Sequence, residues 1–152
     1  MNQLRQPTPN QIDPPPQLAS PPIPASNTAL TGLQILLVDD DRDNLDLLRF
    51  LLQADGAIVT ALTSPQAALD SIAQTPPDLI ISDIGMPQMT GYELIRRIRA
   101  LPQGSRIPAL ALTAFAQTQA QEEALQAGFQ AYTTKPVDPI ELLSTLAQLL
   151  QP

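Results

Sequence analysis

The stretch "LLVDDD" (residues 36–41) places three aspartates directly after an apolar run. Apolar runs of this kind are typical of buried parallel strands. Two carboxylates 4 Å apart repel by about 1 kcal/mol in water and by about 4 kcal/mol at an effective dielectric constant of 20. A strand that ends in such a block therefore indicates a functional site with a cation to hold the acids together.

Four further apolar runs follow, and helical patterns alternate with all five. The runs are "QILLVD" (34–39), "AIVTAL" (57–62), "DLIISD" (78–83), "ALALT" (109–113) and "AYTTK" (131–135). The helical segments have readable ends: aspartate or serine caps, proline at the first helical position, and a closing glycine. The first of them, "DNLDLLRFLLQADG" (43–56), begins at an aspartate cap. This alternation predicts an α/β domain with a doubly wound, five-stranded parallel sheet in the order 2-1-3-4-5, with helices on both faces.

Length and composition exclude several classes of protein. The 152 residues suffice for one domain, and the net charge of -7 disfavours direct contact with nucleic acid. The cluster Arg96, Arg97 and Arg99 is interpreted as a solvated helix face. The chain has no cysteine and no histidine, which removes disulfides, thiolate metal sites and the usual general base. Neither a signal peptide nor a membrane-length apolar run is present, so we expect a cytoplasmic protein without a membrane partner.

Residues 1–31 differ from the rest of the chain. They contain eight of the seventeen prolines and show no apolar periodicity. Because proline removes backbone donors and fixes φ, this segment is predicted to be a disordered, proline-rich tail, and residues 32–152 form the folded domain. A linker and a docking segment for a proline-binding partner remain alternatives.

Polar side chains collect where the predicted strands end. Asp39 and Asp40 end the first strand, and Asp83 ends the third. These two strands are neighbours in the predicted sheet, about 4.8 Å apart, so the three carboxylates converge. Only oxygen ligands are available, which suits Mg²⁺, and a backbone carbonyl such as that of Gly85 would complete its shell.

The remaining strand ends carry a hydroxyl and an ammonium. Thr113 ends the fourth strand, and Lys135, the only lysine of the chain, ends the fifth. A cation, a lysine and a hydroxyl around one carboxylate fit phosphoryl transfer, in which they neutralise and bind the phosphoryl oxygens while the carboxylate attacks in line. Asp83 is the predicted nucleophile.

The segments "ILLVDDD", "LIISDIGMPQMTGYELIRRIR", "ALTAFA" and "YTTKPVDPIELL" resemble the receiver domain of two-component response regulators. The resemblance covers the chain from about Gly32 onward and implies a flavodoxin-like fold. It implies that Asp83 accepts phosphate from a histidine kinase or a histidine phosphotransfer protein. We therefore expect a phosphoacceptor that assists its own phosphorylation and dephosphorylation, not an enzyme with a separate substrate.

The resemblance also implies roles for the surrounding residues. Asp39 and Asp40 hold the metal together with Asp83 and the backbone carbonyl of Gly85, and Asp40 is the more direct ligand. Thr113 and Lys135 bind the phosphoryl group, Thr113 is the switch hydroxyl and Tyr132 the switch aromatic. The Lys135–Pro136 bond is expected to be cis.

Two positions lie outside this pattern. Asp41 is interpreted as a surface charge near the start of the following helix. Thr90 stands where the family often has an aspartate, in "MPQMTG", but it lies outside the metal site, so the chemistry is expected to survive.

The expected function is that of a single-domain response regulator, because no output domain follows the last helix, and it would act through an unknown protein target. A receiver that belongs to a hybrid histidine kinase, or a phosphate sink, is the alternative. A phosphatase of the haloacid dehalogenase kind would need a second aspartate where Gly85 stands. A receiver-like binding module that no longer accepts phosphate is disfavoured, because the acidic pair, Thr113 and Lys135 are all present.

The lifetime of the phosphate is expected to depend on Gly85 and Phe115, which flank the path of the attacking water in the receiver family. Neither side chain offers a hydrogen bond to that water, so slow self-dephosphorylation is predicted.

Overall fold

The computed structural model describes residues 30–114 and 117–151, in which strands and helices alternate in the predicted order. The strands are β1 (Gln34–Val38), β2 (Ile58–Leu62), β3 (Leu79–Asp83), β4 (Ala109–Thr113) and β5 (Ala131–Thr134). The helices are α1 (Arg42–Ala54), α2 (Pro65–Gln74), α3 (Gly91–Ala100), α4 (Thr118–Ala127) and α5 (Pro139–Leu149), with a 3-10 turn at Pro102–Gly104. Most of the predicted tail, and Phe115, lie outside the described residues.

All five strands are parallel and lie in the order β2-β1-β3-β4-β5, as predicted. The three central strands are almost wholly buried, which explains why their sequences are continuously apolar. The order reverses between β1 and β3, so the carboxyl ends of these two strands border the crevice where ligands bind in such sheets.

Two apolar layers cover the sheet. Side chains of α2, α3 and α4 pack on one face, and those of α1 and α5 pack on the other. Alternate residues of one strand serve the two layers, since Leu36 belongs to the first and Leu37 to the second. Burial on both faces fixes the register of the sheet, because a slip of one residue would exchange the layers.

The predicted helix ends are confirmed in three places. Ser64 caps α2 in front of Pro65, Asp138 caps α5 in front of Pro139, and Gly128 ends α4 with φ 133°. A residue with a side chain is strained at that φ, so the glycine gives α4 a defined stop.

The start of α1 differs from the prediction. Asp41, not Asp43, is the N-cap, because it has an extended backbone and its carboxylate accepts from the amides of Asp43 and Asn44. Asp41 is exposed as expected, yet it also satisfies amides that the helix leaves unpaired. Asp43 lies in the first turn, where the helix dipole favours an acid.

The interpretation of the arginine cluster as a solvated helix face is wrong for Arg99. Its guanidinium donates to the carbonyls of Gly128 and Gly104 and to the Gln130 side chain, while Arg96 and Arg97 are exposed. The sequence did not reveal this difference because helical spacing alone does not say which arginine meets buried acceptors.

Leu30 falls within the predicted tail, but its side chain is 1% exposed and packs with α1 and α5. The amide of Gly32 donates to the carbonyl of Gly56, so this segment is tied to the turn after α1. Among the described residues, no helix is long and apolar enough to cross a membrane.

Candidate phosphoacceptor and metal site

Three carboxylates meet at the carboxyl ends of β1 and β3. One oxygen from each of Asp39, Asp40 and Asp83 lies within 4.8 Å of the others. Asp83 is the last residue of β3, and Asp39 follows β1 directly, with its amide still bonded to the carbonyl of Leu62. Asp39 and Asp83 are buried at 0% and 5% exposure, whereas Asp40 is exposed. The structure therefore brings together the acidic residues that the sequence singled out.

Protein donors hold Asp39 on both of its oxygens. Its Oδ1 accepts from the amide of Asp41 at 2.9 Å, and its Oδ2 accepts from the Asn44 side chain and from Lys135. Asn44, on the first turn of α1, was missed by the sequence analysis because its link to Asp39 depends on how the helix turns back over the strand. Asp39 is thus held on both oxygens, while Lys135 also contacts one oxygen of Asp83.

Lys135 lies between two of the acids. Its ammonium is 3.0 Å from Oδ1 of Asp83 and 3.4 Å from Oδ2 of Asp39. The amide of Lys135 continues the ladder beyond β5 by donating to the carbonyl of Thr113, and the Lys135–Pro136 bond is cis, as expected. These constraints hold the base of the side chain at the rim of the sheet.

The pKa values at the site reflect burial and crowding. Burial acts to lower the pKa of the Lys135 ammonium, but the hydrogen bonds and charges of Asp83 and Asp39 outweigh burial and raise it. Burial raises the pKa of Asp83, and the charges of Asp39 and Asp40 add to that, against the opposing effect of Lys135. Three carboxylates face one ammonium, so the fully ionised cluster has two uncompensated negative charges. A divalent cation matches that deficit.

Thr113 lies on β4, beside β3, and Tyr132 lies on β5, the next strand of the sheet. Thr113 ends β4 and is buried, one residue beyond the register partner of Asp83. Tyr132 is half-buried on β5, and its hydroxyl donates to Oε1 of Gln121 on α4 at 2.9 Å. The second strand contributes no ionisable side chain to the rim, as its sequence indicated.

Gly85 and Gly91 shape the loop after Asp83. Gly85 is exposed, and a Cβ at this position would meet nothing within 4 Å. A Cβ on Gly91 would lie 2.4 Å from the carbonyl oxygen of Asp83 and 2.8 Å from Cα of Ile84. Thr90 caps α3 by accepting from the amide of Glu93, so the departure from the family pattern at Thr90 has a structural use. The sequence showed Gly91, but it did not show how closely Gly91 approaches the backbone of Asp83.

Comparisons with known proteins agree with this geometry. A family model described as the response regulator receiver domain matches residues 35–147. An uncharacterised 14.6 kDa protein of Leptolyngbya boryana is 49% identical over 119 residues, which cover 78% of this chain and 91% of that protein. The polar-differentiation response regulator DivK of Brucella ovis is 32% identical, with 76% of this chain and 94% of DivK covered. The sensor histidine kinase GacS of Pseudomonas protegens is 38% identical over 72% of this chain, which spans 12% of that kinase.

Solved structures show the same fold. The chemotaxis response regulator CheY4 of Vibrio cholerae superposes with a TM-score of 0.75 at 32% identity, over 79% of this chain and all of CheY4. The receiver domain of the sensor histidine kinase PA1611 from Pseudomonas aeruginosa, determined with a magnesium ion in its active-site cleft, has a TM-score of 0.71 at 36% identity, over 78% of this chain and 98% of that domain.

Proposed function

The chain belongs to the response regulator receiver domain family, and we propose that it accepts a phosphoryl group on Asp83 in a Mg²⁺-dependent reaction and signals by protein contact. The observation that carries this proposal is the cluster of Asp39, Asp40 and Asp83 around the ammonium of Lys135. When fully ionised, this cluster carries two uncompensated negative charges, and two of its three carboxylates are buried.

The donor set fits magnesium. All candidate ligands are oxygens, and the chain contains neither histidine nor cysteine. Asp40 and Asp83 would hold the ion directly, with Asp39 and the backbone carbonyl of Gly85 completing the protein's share. A bound Mg²⁺ would supply positive charge to the phosphoryl oxygens. The solved magnesium-bound receiver domain of PA1611 supports this choice of metal.

The proposed reaction transfers a phosphoryl group from a phosphohistidine of a histidine kinase or a histidine phosphotransfer protein. An oxygen of the Asp83 carboxylate attacks phosphorus, the P–N bond of the donor breaks, and its electron pair returns to the imidazole, which takes up a proton. The Lys135 ammonium, 3.0 Å from Asp83, neutralises a phosphoryl oxygen, and the Thr113 hydroxyl donates to another.

Phosphate on Asp83 is proposed to draw the Thr113 hydroxyl inward, so that Tyr132 moves into the vacated space. This movement would bias the face built from α4, β5 and α5 between two arrangements, to be recognised by a protein target. We also propose that the protein assists its own phosphorylation and dephosphorylation through Lys135, Thr113 and the metal, without a separate substrate.

The preferred setting is a single-domain response regulator, because DivK and the Leptolyngbya protein are covered almost end to end. The alternatives are a receiver of a hybrid kinase, which the match to the sensor histidine kinase GacS favours, and a phosphate sink. Adding the chain to a purified, phosphorylated histidine phosphotransfer protein tests these settings. A receiver that signals on its own keeps the phosphate, a hybrid-kinase receiver exchanges it with the phosphotransfer protein, and a sink loses it to water.

The chemistry is tested by incubation with acetyl phosphate and Mg²⁺, followed by intact mass. We expect an adduct of about 80 Da on the parent protein and none on Asp83→Asn. Asp70→Asn is a matched control, since Asp70 is exposed on α2 and bonds only to Gln66 of its own helix among the described residues. An adduct that persists in Asp83→Asn would contradict the assignment.

A further inference from the structure

The backbone of the phosphoacceptor is coupled directly to the start of α3. The amide of Gly91 donates to the carbonyl of Ile84 at 2.7 Å, and there is no room for a side chain between Gly91 and Asp83. A closer approach of the first turn of α3 would therefore displace the backbone of Asp83 and Ile84, and its withdrawal would break the bond between Gly91 and Ile84.

The next residue, Tyr92, reaches from α3 to α4. Its ring packs on the apolar layer below, and its hydroxyl donates to the carbonyl of Ala120 at 3.3 Å. It spans an open groove of about 290 Å³ lined by Ile84, Tyr92, Gln117, Gln119, Ala120 and Glu123. Tyr92 is thus a bridge between the phosphoacceptor loop and the first turn of α4.

The two tyrosines of the chain hold adjacent residues of that turn. Tyr92 contacts Ala120 from α3, and Tyr132 contacts Gln121 from β5. The two hydroxyls come from different elements, α3 and β5, and both contact the N-terminal end of α4.

The other end of α4 is fixed more firmly. Arg99 donates to the Gly128 carbonyl from Nε at 3.0 Å and from Nη2 at 2.8 Å, and to the Gly104 carbonyl at 2.8 Å. Hydrogen bonds from a charged group are about twice as strong as neutral ones. Among the described contacts, the C-terminal end of the helix is thus anchored by a charged group, while neutral tyrosine hydroxyls contact its N-terminal end.

We propose that Tyr92 is a positioning residue whose hydroxyl holds the first turn of α4 against the phosphoacceptor loop and so sets how readily this helix end moves when Asp83 is modified. The inference rests on the proposed phosphorylation of Asp83. It adds a second link between the site and α4, beside the one proposed for Thr113 and Tyr132. This second link begins at the backbone of Asp83 and not at a phosphoryl oxygen.

The direction of the effect follows from linkage. The Tyr92–Ala120 bond stabilises the position of α4 that the structure shows, and the proposed function has phosphate at Asp83 drawing this face toward a second position. Removing the hydroxyl lowers the free energy needed to leave the position that the structure shows. A phosphate mimic that favours the other position must then bind more tightly, because coupling between two sites is reciprocal.

The variant Tyr92→Phe removes only the hydroxyl and keeps the ring. Beryllofluoride serves as the phosphate mimic, titrated with saturating Mg²⁺ and followed by nuclear magnetic resonance. We expect half-saturation at about a fivefold lower concentration than for the parent, since one neutral hydrogen bond is lost. Mg²⁺ affinity without beryllofluoride is expected to stay the same, because the contacts described for Tyr92 are with Ala120, the apolar layer and Glu123, and include none of Asp39, Asp40 and Asp83.

Amide hydrogen exchange provides a readout that does not depend on the phosphate mimic. In Tyr92→Phe, amides 121–124 at the start of α4 should exchange about fivefold faster, while amides 125–129 at the end anchored by Arg99 should not change. The anchored end is an internal control, because general destabilisation would affect both sets.

The hydrogen-exchange and beryllofluoride results together test the role of Tyr92. Unchanged exchange at residues 121–124 would show that the hydroxyl does not hold α4 and would overturn the inference. Faster exchange with an unchanged beryllofluoride titration would show a structural bond without coupling, which also overturns it. A parent protein that binds Mg²⁺ but not beryllofluoride would contradict the proposed function itself, and the coupling with it. Faster exchange together with tighter beryllofluoride binding supports the assignment.

Discussion

Gly91 lies so close to Asp83 that a single added carbon would be 2.4 Å from the Asp83 carbonyl oxygen. This contact connects the start of α3 to the residue that carries the proposed chemistry. It also explains a glycine that no positive φ requires, since Gly91 is absent from the positive-φ glycines of the described residues.

Gly91→Ala is therefore expected to destabilise the fold by about 1–3 kcal/mol, because the backbone of the loop must move to admit the methyl group. Urea unfolding measures the change. Gly85→Ala is the matched control: it lies in the same loop, but its added carbon meets nothing, so its stability should stay within about 0.5 kcal/mol of the parent. Equal effects at both positions would contradict the close contact.

Asp40→Asn should weaken Mg²⁺ binding roughly tenfold or more, because it removes one negative charge that faces the ion. Phosphorylation by acetyl phosphate should fall with it. Calorimetric titration with Mg²⁺ checks the affinity.

Asp41→Asn is the control for this experiment. It removes the neighbouring charge, while asparagine caps a helix about as well as aspartate does. If both variants weaken Mg²⁺ binding equally, the effect is one of general charge and Asp40 is not a ligand.

Asp55, at the C-terminal end of α1, should make stability depend on pH. It is 7% exposed, its Oδ2 has no hydrogen-bond partner among the described residues, and burial raises the pKa of its carboxyl above 3.8. At a pH below 3.8 both the folded and the unfolded chain keep the proton. Once the pH rises through the folded pKa, the folded state must bury a charge and loses stability.

Asp55→Asn should therefore raise the free energy of unfolding by about 1 kcal/mol at pH 7, and the gain should fade as the pH approaches 3.8. Urea unfolding of the parent and the variant across pH measures the difference. Asp70→Asn, at an exposed position, is the control for the removal of one carboxylate. A gain that is constant with pH would mean that ionisation of Asp55 is not its source.

Phosphate decay provides a further prediction. A Cβ at Gly85 would meet nothing within 4 Å, so Gly85→Asn is a suitable change there, and Phe115→Glu supplies a second polar group in the segment between the described ranges. The double variant should lose phosphate roughly tenfold faster than the parent, because polar groups can then orient the attacking water. Decay of the adduct by intact mass measures this. An unchanged rate would show that the two positions do not set the lifetime.

The sequence predicted the sheet order and the residues that converge, because parallel strands carry their chemistry at one end and their apolar runs are buried on both faces. What it did not show depends on how elements turn toward one another. Asn44 reaches Asp39 only because α1 folds back over β1, and Arg99 meets Gly128 only because α3 and α4 pack together. The start of α1 was predicted at Asp43, two residues too late, because only the backbone angles show which of the neighbouring aspartates caps the helix.

The position of Lys135 has a practical consequence for labelling. As the only lysine, it would share amine-directed reagents with the α-amino group alone. Its neighbouring carboxylates raise its pKa and keep it protonated, so it is a poor nucleophile near neutral pH, where an α-amino group with a pKa of about 7.7–8.0 still reacts. An acylating dye at pH 7 should therefore mark the α-amino group and spare the site. Since the chain has no thiol, one introduced cysteine would offer a second, orthogonal handle for fluorescence.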